Sequence, residues 1–306
     1  MAETMDIQAP GMKNQFPSDA SHPVVIDQLV KAPPIGEARE RELLKDAHSF
    51  IYFTSPHGAL PAHFFFPHEH NPLTARAPAI VFFHGGLWDS SMPTQFIPHC
   101  HHFAARGAVT LAVEYRVRSK HQTSPLEALE DAAMVMIFLR KNAPILGLDP
   151  DRIVFAGAGS GAYLALACAT LPEIGAESGD HFRPCALFLF SAIVNTTRKG
   201  IGADRFPSEQ EARRYSPSEH VRKGLPPLLA FHARDDRVVP FEHVAKFTKK
   251  YARKKNRCEL LDFQNAGHTF FNYNSHERNY EITIRAADYF LVNLGLLDPD
   301  PLAEDF

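Results

Sequence analysis

The stretch Arg152-Ile-Val-Phe-Ala-Gly-Ala-Gly-Ser-Gly-Ala-Tyr-Leu-Ala-Leu166 decides how this chain is read. Ile153 to Gly157 has strand character and runs straight into a cluster of the smallest residues. A helix-forming run from Tyr163 to Ala169 follows without a linker. A strand that turns sharply into a helix brings two backbones close together, so the positions flanking the turn must be small. Such turns occur where a fold presents one residue at the end of a central strand, and the remainder of the chain is read outward from that expectation.

Upstream, Ala79 to Phe83 and Ala108 to Tyr115 are continuous apolar runs, as expected of strands covered on both faces. Ser49–Thr54 and Ala62–Phe66, joined by Ser55-Pro56-His57-Gly58, read as a hairpin at the sheet edge. Thr94–Arg106 is an expected helix. Ser124-Pro125 opens a second, with Leu126, Leu129, Ala133, Met136 and Ile137 at helical spacing. Downstream, Cys185–Ile193, Pro227–Ala233 and Arg257–Phe263 read as strands, and Phe241–Lys255 and Glu277–Leu294 as helices. This alternation implies an α/β fold: a mainly parallel sheet with helices on both faces. Residues 46–306 are expected to form one domain with a short polar cap at about 195–224, and residues 1–45 a partly irregular, proline-rich arm with a short helix near Glu37–Asp46.

Ligands of such sheets bind beyond the carboxyl ends of the strands. Four segments directly follow expected strands: His84-Gly85-Gly86, Gly157–Gly161, Asp235-Asp236 and the loop carrying His268. They are therefore expected at one rim.

The order His84-Gly-Gly-Leu-Trp88, then Glu114-Tyr-Arg-Val117, then the small-residue elbow, resembles the α/β-hydrolase esterases with HGG oxyanion loops. The acetyl-xylan and feruloyl esterase-like branch (BD-FAE) is the nearest in pattern. His232-Ala-Arg-Asp-Asp-Arg-Val-Val-Pro240 and Ala266-Gly-His268 extend the likeness over about residues 50–295. The resemblance implies a carboxylic ester hydrolase working by Ser-His-Asp acyl transfer on a small ester. His268 would be the general base. The acid lies four residues before the proline in that family's pattern, which selects Asp236 over Asp235. Backbone N–H groups around Gly85 and Gly86, and of the residue after the nucleophile, would receive the developing oxyanion, and His84 and Trp88 stand with them among the expected oxyanion and substrate-binding residues.

The elbow departs from the family's Gly-x-Ser-x-Gly. Here it reads Gly157-Ala158-Gly159-Ser160-Gly161, so by count Gly159 occupies the nucleophile position and the serine comes one place later. Two readings stand. In a shifted elbow, Ser160 attacks, Ala158 and Ala162 are its small neighbours, and the Gly161 N–H completes the oxyanion hole. In an unshifted elbow, Gly159 sits at the tip and Ser160 opens the following helix. The first gives an esterase with Ser160, Asp236 and His268 as its triad. The second gives a ligand-binding protein on the same scaffold, or a lyase or isomerase using His268 and Asp236 alone. The working expectation is the esterase.

Other features exclude more than they suggest. A formal net charge of −3 offers no basic field for nucleic acid and no polybasic membrane patch. No apolar run reaches the roughly 18 residues that span a bilayer, and the N-terminus lacks an apolar signal core. Four scattered cysteines without a CxxC pair fit reduced thiols in a cytoplasmic protein. His68, His70 and His99 to His102 lack the spacing of a metal site. The glycines at 157, 159 and 161 lack dinucleotide-binding spacing, and the lysine-rich face of 246–255 reads as a solvated helix side. No cofactor is expected, and the sequence leaves oligomeric state open.

Overall fold

The computed structural model describes residues 35–174 and 183–300. Most of the expected N-terminal arm lies outside the described residues. The chain enters through α1 (Ile35–Leu44), two residues earlier than expected, and then forms the hairpin β1 (His48–Ser55) and β2 (Gly58–Phe65). It continues through β3 (Ala77–Phe83), α2 (Ile97–Ala105), β4 (Val109–Val113), the single turn α3 (Arg118–His121) and the long α4 (Pro125–Leu146). The second half holds β5 (Leu148–Ala158), α5 (Ser160–Thr170), β6 (Ala186–Phe190), α6 (Glu209–Arg214), β7 (Leu228–Ala233), α7 (Phe241–Arg253), β8 (Cys258–Phe263) and α8 (Glu277–Asn293).

The strands form one eight-stranded sheet in the order β1-β2-β4-β3-β5-β6-β7-β8. β2 pairs antiparallel with β1 and β4, and every other pairing is parallel. Chain order reverses between β3 and β5, which run side by side with Phe83 opposite Gly157. A reversal of this kind opens a crevice at the carboxyl ends of the two strands.

Period-two alternation divides the core between the two faces. Val81, Phe83, Leu111, Phe155 and Leu187 pack with α4, α5 and α7. Ile80, Phe82, Ala112, Val154 and Phe188 pack with α2 and α8. Helix α4 starts where Ser124 and Glu127 form a reciprocal capping box with Pro125 in the first turn, and it stops at Gly147 in the left-handed conformation. Every residue of α5 is buried, which is why its sequence is apolar all round rather than striped.

A buried ion pair fixes the chain after β4. Arg116 Nη2 donates to Asp131 Oδ1 at 2.6 Å, and the Arg116 backbone N–H donates to Asp131 Oδ2 at 2.7 Å. Between β6 and β7 the expected cap segment carries a short 3-10 turn at Ala203–Arg205, α6 and a second 3-10 turn at Pro217–Glu219. The Thr196 hydroxyl donates to the Ala212 carbonyl at 2.6 Å and secures this segment to its own base. Phe206 and Gly202 lay it against Trp88. Several strand limits differ from expectation: β2 begins at Gly58 rather than Ala62, and β4 ends at Val113 rather than Tyr115. β5 begins at Leu148, so Asp149-Pro150 belongs to a strand start instead of a connection, and β6 ends at Phe190 rather than Ile193. No helix among the described residues is long and apolar enough to cross a membrane.

Candidate active site

Gly159 sits between the end of β5 and the first residue of α5, with φ 52° and ψ −110°. A side chain rarely tolerates this conformation, and glycine adopts it without strain. The turn is held on both sides: Gly159 N–H donates to the Phe190 carbonyl at 3.0 Å, and the Gly159 carbonyl accepts from Tyr163 at 3.1 Å and Ile193 at 3.2 Å. The neighbours two places away set the register. A Cβ on Gly157 would lie 2.5 Å from the Gly161 carbonyl carbon, and one on Gly161 would lie 2.1 Å from the Phe83 carbonyl oxygen. These two glycines are the crossing point of strand and helix, so the residue midway between them, Gly159, is the tip.

A Cβ built on Gly159 would stand 3.6 Å from His268 Nε2 and meet only that imidazole. The tip therefore addresses the histidine directly. Ser160 does not. It is fully buried, and its hydroxyl lies 3.4 Å from the Tyr115 hydroxyl. Tyr115 itself donates to the His84 carbonyl at 2.8 Å, which leaves Ser160 as the donor to Tyr115. Among the described residues no hydrogen bond joins Ser160 to His268. The shifted register expected for Ser160 is thus not the one adopted, because the strand-helix crossing requires the missing Cβ atoms at 157 and 161, where Ala158 and Ala162 carry theirs.

The histidine and the acid do come together. His268 Nδ1 and Asp236 Oδ2 are 2.8 Å apart. With the Nδ1 hydrogen donated to the carboxylate, the Nε2 lone pair faces the tip. Asp236 Oδ1 accepts from the N–H groups of Val238 at 2.8 Å and Val239 at 2.9 Å. Burial alone would raise the Asp236 pKa, but the His268 hydrogen bond and the two amides outweigh it and hold the carboxyl below its usual range. Asp235 is exposed. Buried His232 lies 3.4 Å from Asp236 Oδ2. Burial lowers its pKa, and its Nε2 donates to the Val239 carbonyl at 2.8 Å, so it shapes the loop as a neutral ring. Ser191, just past β6, donates its hydroxyl to the His268 carbonyl at 2.7 Å and fixes the base from behind.

The glycine loop after β3 is wound tightly. Gly86 has φ 120°, and a Cβ there would lie 2.3 Å from the Ser90 carbonyl oxygen. Leu87 and Trp88 also adopt positive φ, 54° and 57°, an arrangement strained enough to suggest function. The Gly85 N–H is already committed to Gln95 Oε1 at 2.7 Å. Of the two glycine-loop N–H groups expected to face the cavity this leaves that of Gly86, and with Gly159 at the tip the residue that follows it is Ser160 instead of Gly161. As the first residue of α5, Ser160 has no intrahelical acceptor for its N–H. Gln95 also donates to Asn272 Oδ1 at 3.3 Å, tying the glycine loop to the histidine loop.

His84 and Trp88 do not line the cavity. His84 stacks on Tyr115 with ring centroids 4.2 Å apart, and burial lowers its pKa to about 4. Trp88 packs edge-on to Tyr163 at 5.0 Å and against Phe206 at 6.0 Å. Both support the loop from beneath. The cavity itself, about 300 Å³, lies between the glycine loop, the tip and His268, with Ile193, Val238, Phe271 and Arg205 on its walls. Gln95, Ser191 and Arg205 carry no motif in the sequence; only the spatial meeting of separate loops shows them. No group of three or more metal-ligating side chains occurs among the described residues.

An eight-stranded, mostly parallel sheet with a glycine-flanked elbow after β5, an acid after β7 and a histidine after β8 defines an α/β-hydrolase. The BD-FAE family matches residues 68–196 and the dienelactone hydrolase family matches residues 203–291. Esterase 2 of Thermogutta terrifontis, in a structure titled as phosphoramylated by tabun, superposes with TM-score 0.78 at 35% identity, covering 89% of this chain and 100% of that one. Its butyrate-bound structure superposes with TM-score 0.77 at 35% identity, covering 84% of this chain and 97% of that one. Esterase LipC of Mycobacterium tuberculosis is 30% identical over 226 residues, 64% of this chain and 54% of LipC. A probable isoprenylcysteine alpha-carbonyl methylesterase of Arabidopsis thaliana is 23% identical over 222 residues, 64% of this chain and 46% of that protein. The chain spans about half the length of these two curated relatives. It belongs to the α/β-hydrolase esterases.

Proposed function

We propose that this chain hydrolyses small carboxylic esters at the rim site, with residues 46–306 acting as one domain beneath a cap at about 195–224. The observation that carries the reading is the His268–Asp236 pair, 2.8 Å apart, with its free imidazole nitrogen addressed to the elbow tip. A base so oriented serves one purpose well: taking a proton from an oxygen that attacks a carbonyl beside the tip. The N–H groups of Gly86 and Ser160 supply the complementary charge for the oxyanion. Cavity size supports a short acyl group, as does the butyrate held by the Thermogutta esterase. No metal or cofactor enters this chemistry.

The test is turnover of p-nitrophenyl acetate, butyrate, octanoate and decanoate by the purified chain. The expected result is hydrolysis that falls with acyl length and is lost in His268→Ala. A folded protein with no turnover above buffer, yet with calorimetric binding of butyrate, would replace hydrolysis by carboxylate binding on the same scaffold.

A further inference from the structure

We infer that ester hydrolysis in this chain runs without an acyl-enzyme: His268 delivers water directly to the carbonyl at Gly159. The inference rests on the hydrolase reading above and concerns which oxygen attacks. Three observations carry it. The residue at the elbow tip has no side chain, and a Cβ there would stand 3.6 Å from His268 Nε2. The adjacent serine is buried, with its hydroxyl 3.4 Å from Tyr115. The base and the acid are nevertheless paired in working geometry, with His268 Nδ1 2.8 Å from Asp236 Oδ2.

Ser160 borders the cavity beside Gly159, but it is fully buried and its hydroxyl is engaged by Tyr115 instead of His268. That hydroxyl lies 3.4 Å from the Tyr115 hydroxyl, which itself donates to the His84 carbonyl at 2.8 Å. Bringing it to the tip would require moving the crossing of Gly157 over Gly161, where a Cβ would already fall 2.5 Å from backbone. The elbow is pinned further by hydrogen bonds from Gly159 to Phe190 and from Ile193 to Gly159. Water needs no such movement. An oxygen within about 2.6–3.2 Å of His268 Nε2 is in general-base reach. Glycine lets it approach the Cα at the roughly 3.3–3.6 Å of a non-bonded C···O contact, where a serine Oγ would otherwise be covalently held.

The step balances without another reactant. The water oxygen forms a bond to the acyl carbon while its proton passes to His268 Nε2, and Asp236 stabilises the imidazolium. The carbonyl electron pair moves onto oxygen, received by the Gly86 and Ser160 N–H groups. Collapse of this intermediate breaks the bond to the alcohol, which leaves with the proton from His268. The products are the carboxylic acid and the alcohol, and the base returns to its starting state.

The experiment compares the wild-type chain with Ser160→Ala and His268→Ala on p-nitrophenyl acetate, and exposes the wild-type chain to paraoxon before intact-mass measurement. Removing a true triad serine costs about 10⁶ in kcat. Here Ser160→Ala, which removes only the hydroxyl and keeps the backbone N–H that receives the oxyanion, is expected to lower kcat less than tenfold, while His268→Ala lowers it by on the order of 10²–10⁴. The wild-type mass is expected to be unchanged by paraoxon. A phosphoryl adduct on Ser160, or loss of a thousandfold or more in Ser160→Ala with its circular dichroism intact, overturns the inference and leaves the hydrolase reading standing. Should Ser160→Ala fail to fold, the paraoxon measurement on the wild-type chain decides alone. Absence of all turnover overturns the hydrolase reading and the inference together.

Discussion

Gly159→Ser places a hydroxyl where the fold aims its histidine, and its consequences divide cleanly into chemistry and backbone strain. The new Cβ would meet only His268, with Nε2 at 3.6 Å and Cε1 at 3.9 Å, so no steric clash opposes it. Rotation of the Cβ–Oγ bond carries the oxygen to the roughly 2.6–3.2 Å at which a base can take its proton. A complete triad exceeds one without its serine by about 10⁶ in kcat. Water attack assisted by the histidine recovers about 10²–10⁴ of that. The remaining gain on installing serine is therefore on the order of 10²–10⁴. The opposing cost is conformational, since φ 52° with ψ −110° is adopted freely by glycine and costs another residue about 1–3 kcal/mol. At about 2–3 °C of melting temperature per kcal/mol in a chain of this size, the expected loss is roughly 2–9 °C.

The assay is a parallel measurement of kcat on p-nitrophenyl acetate, adduct formation with paraoxon, and melting temperature, with Gly159→Ala as the control. Alanine should show the same thermal loss without the kinetic gain or the adduct. A folded Gly159→Ser protein that neither gains rate nor takes up paraoxon would show that position 159 is not the tip. An unchanged melting temperature in both variants would refute the strain reasoning.

Three further outcomes are expected. Asp236→Asn keeps the hydrogen-bonded loop but offers His268 a donor or a neutral acceptor, and should lower kcat on the order of 10²–10⁴ with KM little changed, checked by steady-state kinetics. Arg205 lines the cavity and its ion pairs with Asp89 and Asp204 are long, 3.5 and 3.6 Å. Arg205→Gln should therefore raise KM for a p-nitrophenyl hemisuccinate about two- to fivefold while leaving the butyrate KM in place, the scale of one partly exposed ion pair. His99 is buried among Phe82, Phe96, Phe190 and Tyr280, with neither ring nitrogen hydrogen-bonded among the described residues, and burial lowers its pKa to about 3. A histidine charged more readily when unfolded costs stability as pH falls from about 6.5 towards 3, and none above that window. His99→Phe should flatten this acid limb and raise the melting temperature, as followed by calorimetry between pH 7 and pH 4.

The fold was legible because its strands are buried on both faces. Ile80-Val-Phe-Phe83 and Cys185-Ala-Leu-Phe-Leu-Phe190 leave no other use for so many apolar residues in sequence. The end of β6 was less so. Ser191, Ala192 and Ile193 remain buried after the ladder has stopped, and apolar character alone cannot tell a strand from a buried turn. At the site, the family's motif register distinguished Asp236 from Asp235, and Asp236 is the one that meets His268. Spacing also contained the register of the elbow, since Gly157 and Gly161 bracket Gly159 by count. The expectation for Ser160 followed chemical need, which asks for a hydroxyl, over steric need, which asks where a Cβ is forbidden. Alanine looks small enough for the crossing in sequence; separations of 2.1–2.5 Å show that even one methyl is too much. Gln95 and Ser191 were beyond reach, because each acts on a backbone group brought to it from another loop.

Trp88 is the only tryptophan in the chain, and it lies against the 202–206 segment, where Gly202 brings the backbone so close that a Cβ would fall 2.6 Å from the indole. Its fluorescence is therefore an optical gauge native to the protein, reading the seating of the cap against α5 without any label. The buried indole should emit at the blue end of its range while Phe206 and Tyr163 enclose it, and shift red whenever the cap lifts. Any displacement of residues 202–206 from the indole can thus be followed by stopped flow in the unmodified chain.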